Sequence, residues 1–218
     1  MIDNLIVPVL NRYDLLNRML LSIDYPIRNL LIVDNGGAYE DLFGRPELES
    51  VESVWILTMP ANLGVAGSWN LGIKSFPHAK VWTFASNDII YRAGALKTLS
   101  TASWSSLTLS QGFPHWHTFA VGEAVVDAVG LFDERFAPAY FEDNDYLRRV
   151  QTAGKPVTKL PIDVAHDNSS TLNSNPKFQA KNQETFKRNL MLHKQKSAAQ
   201  EMGWSWTLRD TRAGDWLR

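Results

Sequence analysis

The 218-residue sequence contains no cysteine, which excludes a disulfide scaffold, a Cys-ligated zinc site and a thiolate nucleophile. It has no run of about 18 apolar residues and no basic N-terminal region, so we expect no transmembrane segment and no signal peptide. The formal net charge of −1 argues against a generally basic nucleic-acid binder. Together these absences predict a soluble, cytoplasmic protein.

Three common catalytic signatures are also missing. The first apolar run is followed by Asn11 and Arg12, where a dinucleotide-binding protein would have Gly-x-Gly-x-x-Gly. Neither the P-loop pattern Gly-x-x-x-x-Gly-Lys-Ser/Thr nor the Gly-x-Ser-x-Gly elbow of hydrolases occurs. Dinucleotide, P-loop and serine-hydrolase functions are therefore not predicted.

Apolar runs alternate with helical patterns through the first hundred residues. The runs that predict strands are 5–10, 29–34, 54–59 and 81–85. Helical patterns lie between them at 15–23, where Asp14 is expected to cap the helix, and at 62–74. This alternation predicts an α/β domain with a mostly parallel sheet. Further on we expect helices at 93–99 and 177–200, an acidic helix, and a strand at 157–164.

Polar residues stand where the predicted strands end, and ligands of parallel sheets bind beyond those ends. Asp34 could accept a hydrogen bond from a base or ribose, or it could close an Asx turn. Asn62 follows the third strand. Asn87 and Asp88 follow the fourth, where they could offer oxygen ligands to a hard cation or simply form a turn.

Histidines supply a second set of candidate ligands. His166 follows an apolar run and could complete a metal site from the far side of the cleft, or be satisfied by the neighbouring turn. His115 and His117 stand at i and i+2, which would place both imidazoles on one side of a strand. Because no third ligand is evident, we interpret them as a polar wall of an acceptor site.

The segment 141–145 places three carboxylates at the start of a helix. If that helix begins near Ala139, then Asp143, Leu147 and Val150 share one stripe that faces the core. Desolvation would raise the pKa of such a carboxylate, which suits a general base. The macrodipole alone also favours acidic residues in a first helical turn.

Seven segments, in order along the chain, resemble the family 2 glycosyltransferases, and the likeness covers roughly residues 3–172. They are 7–12, 32–36, the pair 62–64 and 70–72, 86–88, 130–136, 141–145 and His166. The likeness is greatest to the rhamnosyltransferase-like branch. It implies a GT-A fold, a nucleotide-sugar donor (a UDP-, dTDP- or GDP-sugar), a divalent cation (Mn²⁺ or Mg²⁺), and inversion at the anomeric carbon by direct displacement.

The resemblance also implies roles for single residues. Asp143 would deprotonate the acceptor hydroxyl, with Glu142 beside it. The metal ligands would be Asp88 and His166. The implied base and ribose pocket comprises Pro8, Asn11 and Asp34. From their positions at strand ends and in the loop after His166, we add Asn62, Asn87, Ser169 and Ser170 as donor-binding candidates. Many relatives have Asp-x-Asp where this chain has Ser-Asn before Asp88, so we expect weak metal binding.

The single domain 1–218 would then comprise a nucleotide-sugar-binding half (1–90), an acceptor and catalytic half (91–172), and a C-terminal helical segment (177–218). The acceptor would be a glycan or a lipid-linked saccharide, or alternatively a modified base in nucleic acid. A further alternative is an inactive relative that only binds a nucleotide sugar or a glycan.

The predicted helix at 177–196 carries six basic residues and one acidic residue, a net charge of +5. Such a helix could contact the phosphates of DNA or an anionic membrane surface, or it could be a solvated face. The loop 166–177 before it is expected to close over the diphosphate as a lid, unless it is an ordinary surface loop.

Overall fold

A computed structural model describes residues 1–166 and 176–202, with side chains in the second range from Asn182 onward. Its strands are β1 (Ile2–Val9), β2 (Ile27–Asp34), β3 (Val51–Thr58), β4 (Val81–Ala85), β5 (Ile89–Tyr91), β6 (Leu107–Ser110), β7 (Thr118–Gly122), β8 (Val157–Leu160) and β9 (Val164–His166). Seven of them form one sheet in the order β3-β2-β1-β4-β7-β6-β8, and β5 pairs with β9.

The helices are α1 (Tyr13–Leu20), α2 (Tyr39–Phe43), α3 (Gly64–Ser75), α4 (Ala95–Leu99), α5 (Glu123–Val129), α6 (Glu142–Thr152) and α7 (Pro176–Ala198). A short 3-10 helix spans Glu134–Phe136. Within the described residues, no helix is both long enough and apolar enough to cross a bilayer.

The sheet is mostly parallel, as the sequence predicts. Strands β1 to β4 run the same way, whereas β7 is antiparallel to both β4 and β6. Because helices cover both faces, successive strand residues enter opposite cores: Leu5 and Leu30 pack into one, Ile6 and Leu31 into the other. The reversal of β7 brings its first residues to the edge where β4 ends, and the Ser86 amide donates to the His117 carbonyl at 2.8 Å.

Two glycines let α3 lie close to its neighbours. A Cβ on Gly72 would come within 2.6 Å of the Ile6 side chain, so the helix packs directly onto β1. Gly64 has a φ of +74°, and a Cβ there would lie 2.8 Å from the Pro138 carbonyl oxygen. The next residue, Val65, donates its amide to that carbonyl at 2.8 Å. The start of α3 is thereby fixed against the loop that precedes α6.

Three details of the predicted secondary structure are wrong. Asp14 does not cap α1; it lies in the first turn and accepts hydrogen bonds from the Arg12 side chain at 2.7 and 2.8 Å. The acidic helix begins at Glu142, three residues after the predicted start. The predicted strand 157–164 is divided between β8 and β9, because Pro161 has no amide hydrogen to donate to a ladder.

Buried charges hold α7 against the rest of the protein, together with ring contacts of Phe186 and His193 outside the cores. Lys196 is 1% exposed, and its ammonium donates to the carboxylates of Asp133 and Asp145. Asp145 also accepts from Arg149 at 2.8 Å. Of the apolar side chains described on α7, none is buried in either core. The position of α7 therefore depends on this ionic cluster.

We expect Lys196→Met to lower the free energy of unfolding by about 3 kcal/mol, because it leaves two buried carboxylates with one cation fewer. The exposed Lys194→Met on the same helix is the matched control. Urea unfolding at pH 7 measures both variants. Equal unfolding midpoints for the two variants would contradict the structural role given to Lys196.

Candidate active site

A cavity of about 380 Å³ opens at the ends of β1, β2 and β4. On the strand side it is lined by the polar residues Asn35, Asn62, Asn87, Asp88 and His166, together with Pro8. Another wall comes from the loop before α6 and from α7, through Pro138, Ala139, Asn182 and Thr185. The cavity thus lies where ligands of parallel sheets bind.

Asp88 and His166 lie together in this cavity, as the sequence predicts. The pairing of β5 with β9 aligns Ile89 with His166, so the imidazole comes beside the carboxylate that precedes β5. His166 Nε2 is 3.1 Å from Asp88 Oδ1. A carboxylate oxygen and an imidazole nitrogen are both ligands of Mn²⁺-type cations, so this pair fits a divalent cation.

The pair would not enclose a cation by itself. Within the part of the chain that the structure describes, no cluster of three or more His, Cys, Asp or Glu side chains is placed to hold a metal ion. To a cation at this place the described residues thus offer two ligands of this kind, Asp88 and His166.

The two histidines before β7 lie in a turn rather than in the predicted strand. Their role as a polar wall of an acceptor site stays a prediction. His115 Nδ1 lies 2.9 Å from the Ser110 carbonyl oxygen. His117 is buried with its ring centroid 5.7 Å from that of His166, and burial, assisted by His166, lowers the pKa of His117 to about 4. Neither imidazole lines the cavity.

The predicted donor-binding residues divide between the cavity and the surface. Pro8, Asn62 and Asn87 line the cavity. Asn62 accepts the Gly64 amide at 2.8 Å, and so helps to shape the start of α3. Asn11 is exposed and does not line the cavity. Ser169 and Ser170, with the rest of the predicted lid, lie outside the described residues.

The prediction that Asp34 projects into the cleft is wrong. Its carboxylate is 0% exposed and accepts four hydrogen bonds, from the Tyr13 hydroxyl and the amides of Gly36, Gly37 and Tyr39, at 2.8 to 3.1 Å. It closes the turn after β2 and holds the start of α2, which is the Asx-turn alternative.

The next residue, Asn35, reaches the cavity instead. Its side chain accepts the Leu63 amide and donates to the Ser68 hydroxyl, both at 2.9 Å. Like Asp34, Asn35 stands at the end of the predicted second strand, where the sequence places candidate ligand-binding residues, and of the two it is Asn35 that lines the cavity.

The carboxylates of α6 face three different environments. Glu142 is buried, and burial, reinforced by the neighbouring Asp143, raises the pKa of Glu142 to about 8. Asp143 is half-buried, and burial raises its pKa as well. Burial alone would raise the pKa of Asp145, but Arg149 and Lys196 outweigh it and leave that pKa below its ordinary value.

The predicted inward stripe of α6 is therefore shifted. The buried residues are Glu142, Asp145, Tyr146, Arg149 and Val150, whereas Asp143 and Leu147 are half-buried. The periodicity of apolar residues cannot reveal this stripe, because two of its members are charged and are buried as an ion pair at i and i+4.

The loop that leads into α6 is strained and is held by α7. Tyr140 and Phe141 have φ angles of 79° and 70°, a conformation that costs a non-glycine residue about 1 to 3 kcal/mol. Asn189, fully buried on α7, donates its amide group to three carbonyls of the segment 136–140, at 2.6, 2.8 and 3.2 Å. The rings of both residues also contact Phe186 of α7. Sequence reasoning missed Asn189.

The predicted basic face of α7 is only partly a surface feature. Lys196 is buried, and Arg188 donates to the Ala137 carbonyl. Lys187 and Lys194 are exposed. The side chains of the first basic residues, Lys177 and Lys181, lie outside the described residues. The charge available for an anionic partner is therefore smaller than the sequence predicts.

We expect the stability difference between Glu142→Gln and the parent protein to grow with pH. Folding raises the pKa of Glu142 from 4.5 to about 8. Between these pH values the folded state binds a proton that the unfolded state has lost, so the free energy of unfolding falls as the pH rises. The glutamine variant lacks this loss. Its advantage should increase by roughly 1 kcal/mol per pH unit between pH 5 and pH 8 in urea unfolding. The exposed Glu184→Gln is the control; a pH-independent difference for Glu142→Gln would refute the assignment.

Comparisons with known proteins rest on structure alone, since no protein-family model and no curated protein matches the sequence. TarS from S. aureus, solved in complex with UDP, is 17% identical with a TM-score of 0.55, over 75% of this chain and 59% of that chain. GalNAc-T7, solved with UDP, GalNAc and Mn²⁺, is 10% identical with a TM-score of 0.61, over 76% of this chain and 44% of that chain.

The inositol-1-phosphate CTP transferase from T. maritima is also similar, at 12% identity and a TM-score of 0.51, over 82% of this chain and 94% of that one. This chain spans less than two thirds of the TarS and GalNAc-T7 chains that it matches. Likeness at such low identity establishes the fold, while the rhamnosyltransferase-like branch stays a prediction. The chain has the GT-A fold that the family 2 resemblance implies.

Proposed function

We propose that this protein is an inverting glycosyltransferase that moves a sugar from a nucleotide-sugar donor to an acceptor hydroxyl. The observation that carries the proposal is the Asp88–His166 pair, 3.1 Å apart, inside a cavity at the ends of the parallel strands. UDP and Mn²⁺, with which GalNAc-T7 was solved, are ligands that such a pair suits. The loop lining the same cavity leads directly into the carboxylates of α6.

In this proposal the strand side of the cavity binds the donor. Asn35, Asn62 and Asn87 offer amide groups to a nucleoside diphosphate, and Asp88 and His166 would hold Mn²⁺ or Mg²⁺ against its phosphates. When bound, the cation neutralises the charge that develops on the departing diphosphate. The donor is a UDP-, dTDP- or GDP-sugar.

Asp143 is the proposed general base. Its raised pKa suits proton transfer near neutral pH, and its partial exposure leaves it open to an acceptor. Asp145 is unsuited to the role, because Arg149 and Lys196 hold its carboxylate. With a pKa of about 8, Glu142 keeps its proton at neutral pH and so adds no second charge beside Asp143.

The reaction is then a single displacement. The acceptor oxygen attacks the anomeric carbon while the bond from that carbon to the diphosphate oxygen breaks, and the acceptor proton passes to Asp143. Attack on the face opposite the leaving group inverts the anomeric configuration.

Nucleotidyl transfer is a second candidate, because the fold is shared with a CTP transferase. A phosphate monoester has its second pKa near 6 and is already anionic at neutral pH, so as a nucleophile it needs no general base. The half-buried carboxylate of Asp143, with its raised pKa, therefore favours a hydroxyl acceptor and sugar transfer. The products differ as well: sugar transfer releases a nucleoside diphosphate, and nucleotidyl transfer releases pyrophosphate.

We propose a glycan or lipid-linked saccharide as the acceptor, with a modified base in nucleic acid as the alternative. The burial of Lys196 reduces the charge that α7 could offer to phosphates. Acceptor binding that weakens steeply with salt would favour the nucleic acid, because phosphate contacts release counterions.

Release of nucleoside diphosphate from sugar nucleotides, with and without Mn²⁺, tests whether the protein is a catalyst. If no nucleoside diphosphate is released, the alternative of an inactive relative that only binds its ligand is favoured.

We expect Asp143→Asn to lower turnover by about 10²- to 10⁴-fold while nucleotide-sugar binding stays within twofold, because the acceptor proton loses its base. Steady-state kinetics and calorimetry of the same preparations measure the two effects. Asp127→Asn, an exposed carboxylate on α5, is the control. Near-normal turnover in Asp143→Asn would contradict the assignment.

We expect Asp88→Ala to abolish the part of nucleoside diphosphate binding that depends on Mn²⁺, since it removes the carboxylate of the proposed cation site. Calorimetry with UDP, dTDP and GDP, each with and without Mn²⁺, measures this loss. Asp163→Ala, an exposed carboxylate just before β9, is the matched control. An Mn²⁺ effect of equal size in Asp88→Ala and the parent would place the cation elsewhere.

A further inference from the structure

Four polar residues share the inward side of α7. Asn182, Thr185, Asn189 and Lys196 stand at i, i+3, i+7 and i+14, which places them along one stripe of the helix. The last three are buried, and Asn182 is half-buried. A polar side chain that leaves water costs free energy unless it finds a partner, so each member of this stripe requires an explanation.

Two members of the stripe have partners within the protein. Lys196 is held by the carboxylates of Asp133 and Asp145. Asn189 donates to three carbonyls of the loop before α6. These two residues set the distance between α7 and the rest of the domain, and so fix where the preceding two turns of the helix lie.

The other two members line the cavity. Asn182 shares a hydrogen bond with the side chain of Tyr140, which anchors it beside the strained loop. Across the described residues, no hydrogen bond involves the Thr185 hydroxyl, although the residue is only 7% exposed. The adjacent lining is apolar, from Pro138 and Ala139. Asn182 and Thr185 are therefore the polar groups that this wall presents to a ligand.

The position of this wall indicates which part of the donor it meets. In the proposed reaction the transferred sugar lies between the diphosphate at Asp88 and His166 and the base at Asp143. Pro138 and Ala139 line the cavity, and the chain enters α6 a few residues later, so the wall that α7 completes lies where the cavity adjoins the approach to Asp143.

We propose that Asn182 and Thr185 bind hydroxyl groups of the transferred sugar and thereby determine which sugar nucleotide the protein accepts; this inference rests on the proposed function. A neutral amide and a hydroxyl both donate and accept hydrogen bonds, as sugar hydroxyls do. A site built around such hydrogen bonds rejects a ligand that lacks the matching group, because its own polar atoms are then left unpaired.

The experiment measures what the sugar adds to binding. UDP-glucose, UDP-N-acetylglucosamine, dTDP-glucose and GDP-mannose are titrated into the full chain with Mn²⁺, each beside its own nucleoside diphosphate. For the tightest sugar nucleotide, Thr185→Val is expected to weaken binding about tenfold, and to leave diphosphate binding within twofold. Thr185→Ser keeps the hydroxyl and should restore binding. Asn182→Ala should act like Thr185→Val, while the exposed neighbour Gln183→Ala should have no effect.

Several results would overturn the inference. If Thr185→Val weakens the binding of the sugar nucleotide and of its diphosphate equally, the substitution affects the cavity in general. If the binding of both is unchanged, Thr185 does not contact the sugar. A change confined to the KM of a saccharide acceptor would assign the wall to the acceptor. If the parent protein binds the diphosphates but Thr185→Val does not discriminate, only the sugar assignment fails. If the parent binds none of the diphosphates, the proposed function fails and this inference with it.

Discussion

The buried charge cluster around Lys196 is the interaction on which the site depends. Its ammonium lies between Asp133, which precedes the 3-10 helix, and Asp145 on α6. Replacing a buried ion pair by apolar residues is often neutral or stabilising, so such a cluster is better understood as a device for fixing geometry. Here it fixes α7, which in turn carries Asn189 to the strained loop and brings Asn182 to the cavity.

The direction of the strands explains how distant segments meet at this site. Parallel strands deliver Asn35 and Asp88 to one edge of the sheet as the chain leaves β2 and β4. Because β7 runs the opposite way, it is the entry to β7 that reaches the same edge, with His117 behind the Asp88–His166 pair. The small β5–β9 sheet then returns His166 to the place where the chain left β4.

The sequence predicts the residues whose role follows from strand ends, and fails where the role depends on a distant partner. Asp88, Asn62 and Asn87 reach the cavity because strands deliver them there. Asp34 stands at an equivalent position, yet Tyr13 and three backbone amides occupy its carboxylate, and no local pattern shows that competition. The polar residues of α7, Asn189 and Lys196, have the pattern of a solvated helix; their burial follows from partners more than 45 positions away.

None of the described apolar side chains of α7 is buried. The wall of the cavity that α7 forms is therefore less stable than the rest of the fold. The two cores beside the sheet are apolar, and no described side chain of α7 belongs to either of them. As far as its described side chains show, this helix is held by ion pairs, by Asn189 and by the ring contacts of the exposed Phe186. It can detach while the sheet stays intact, so its opening costs less free energy than global unfolding. Strong acid, which protonates the carboxylates that hold Lys196, would then remove one wall of the cavity from a protein that is otherwise folded.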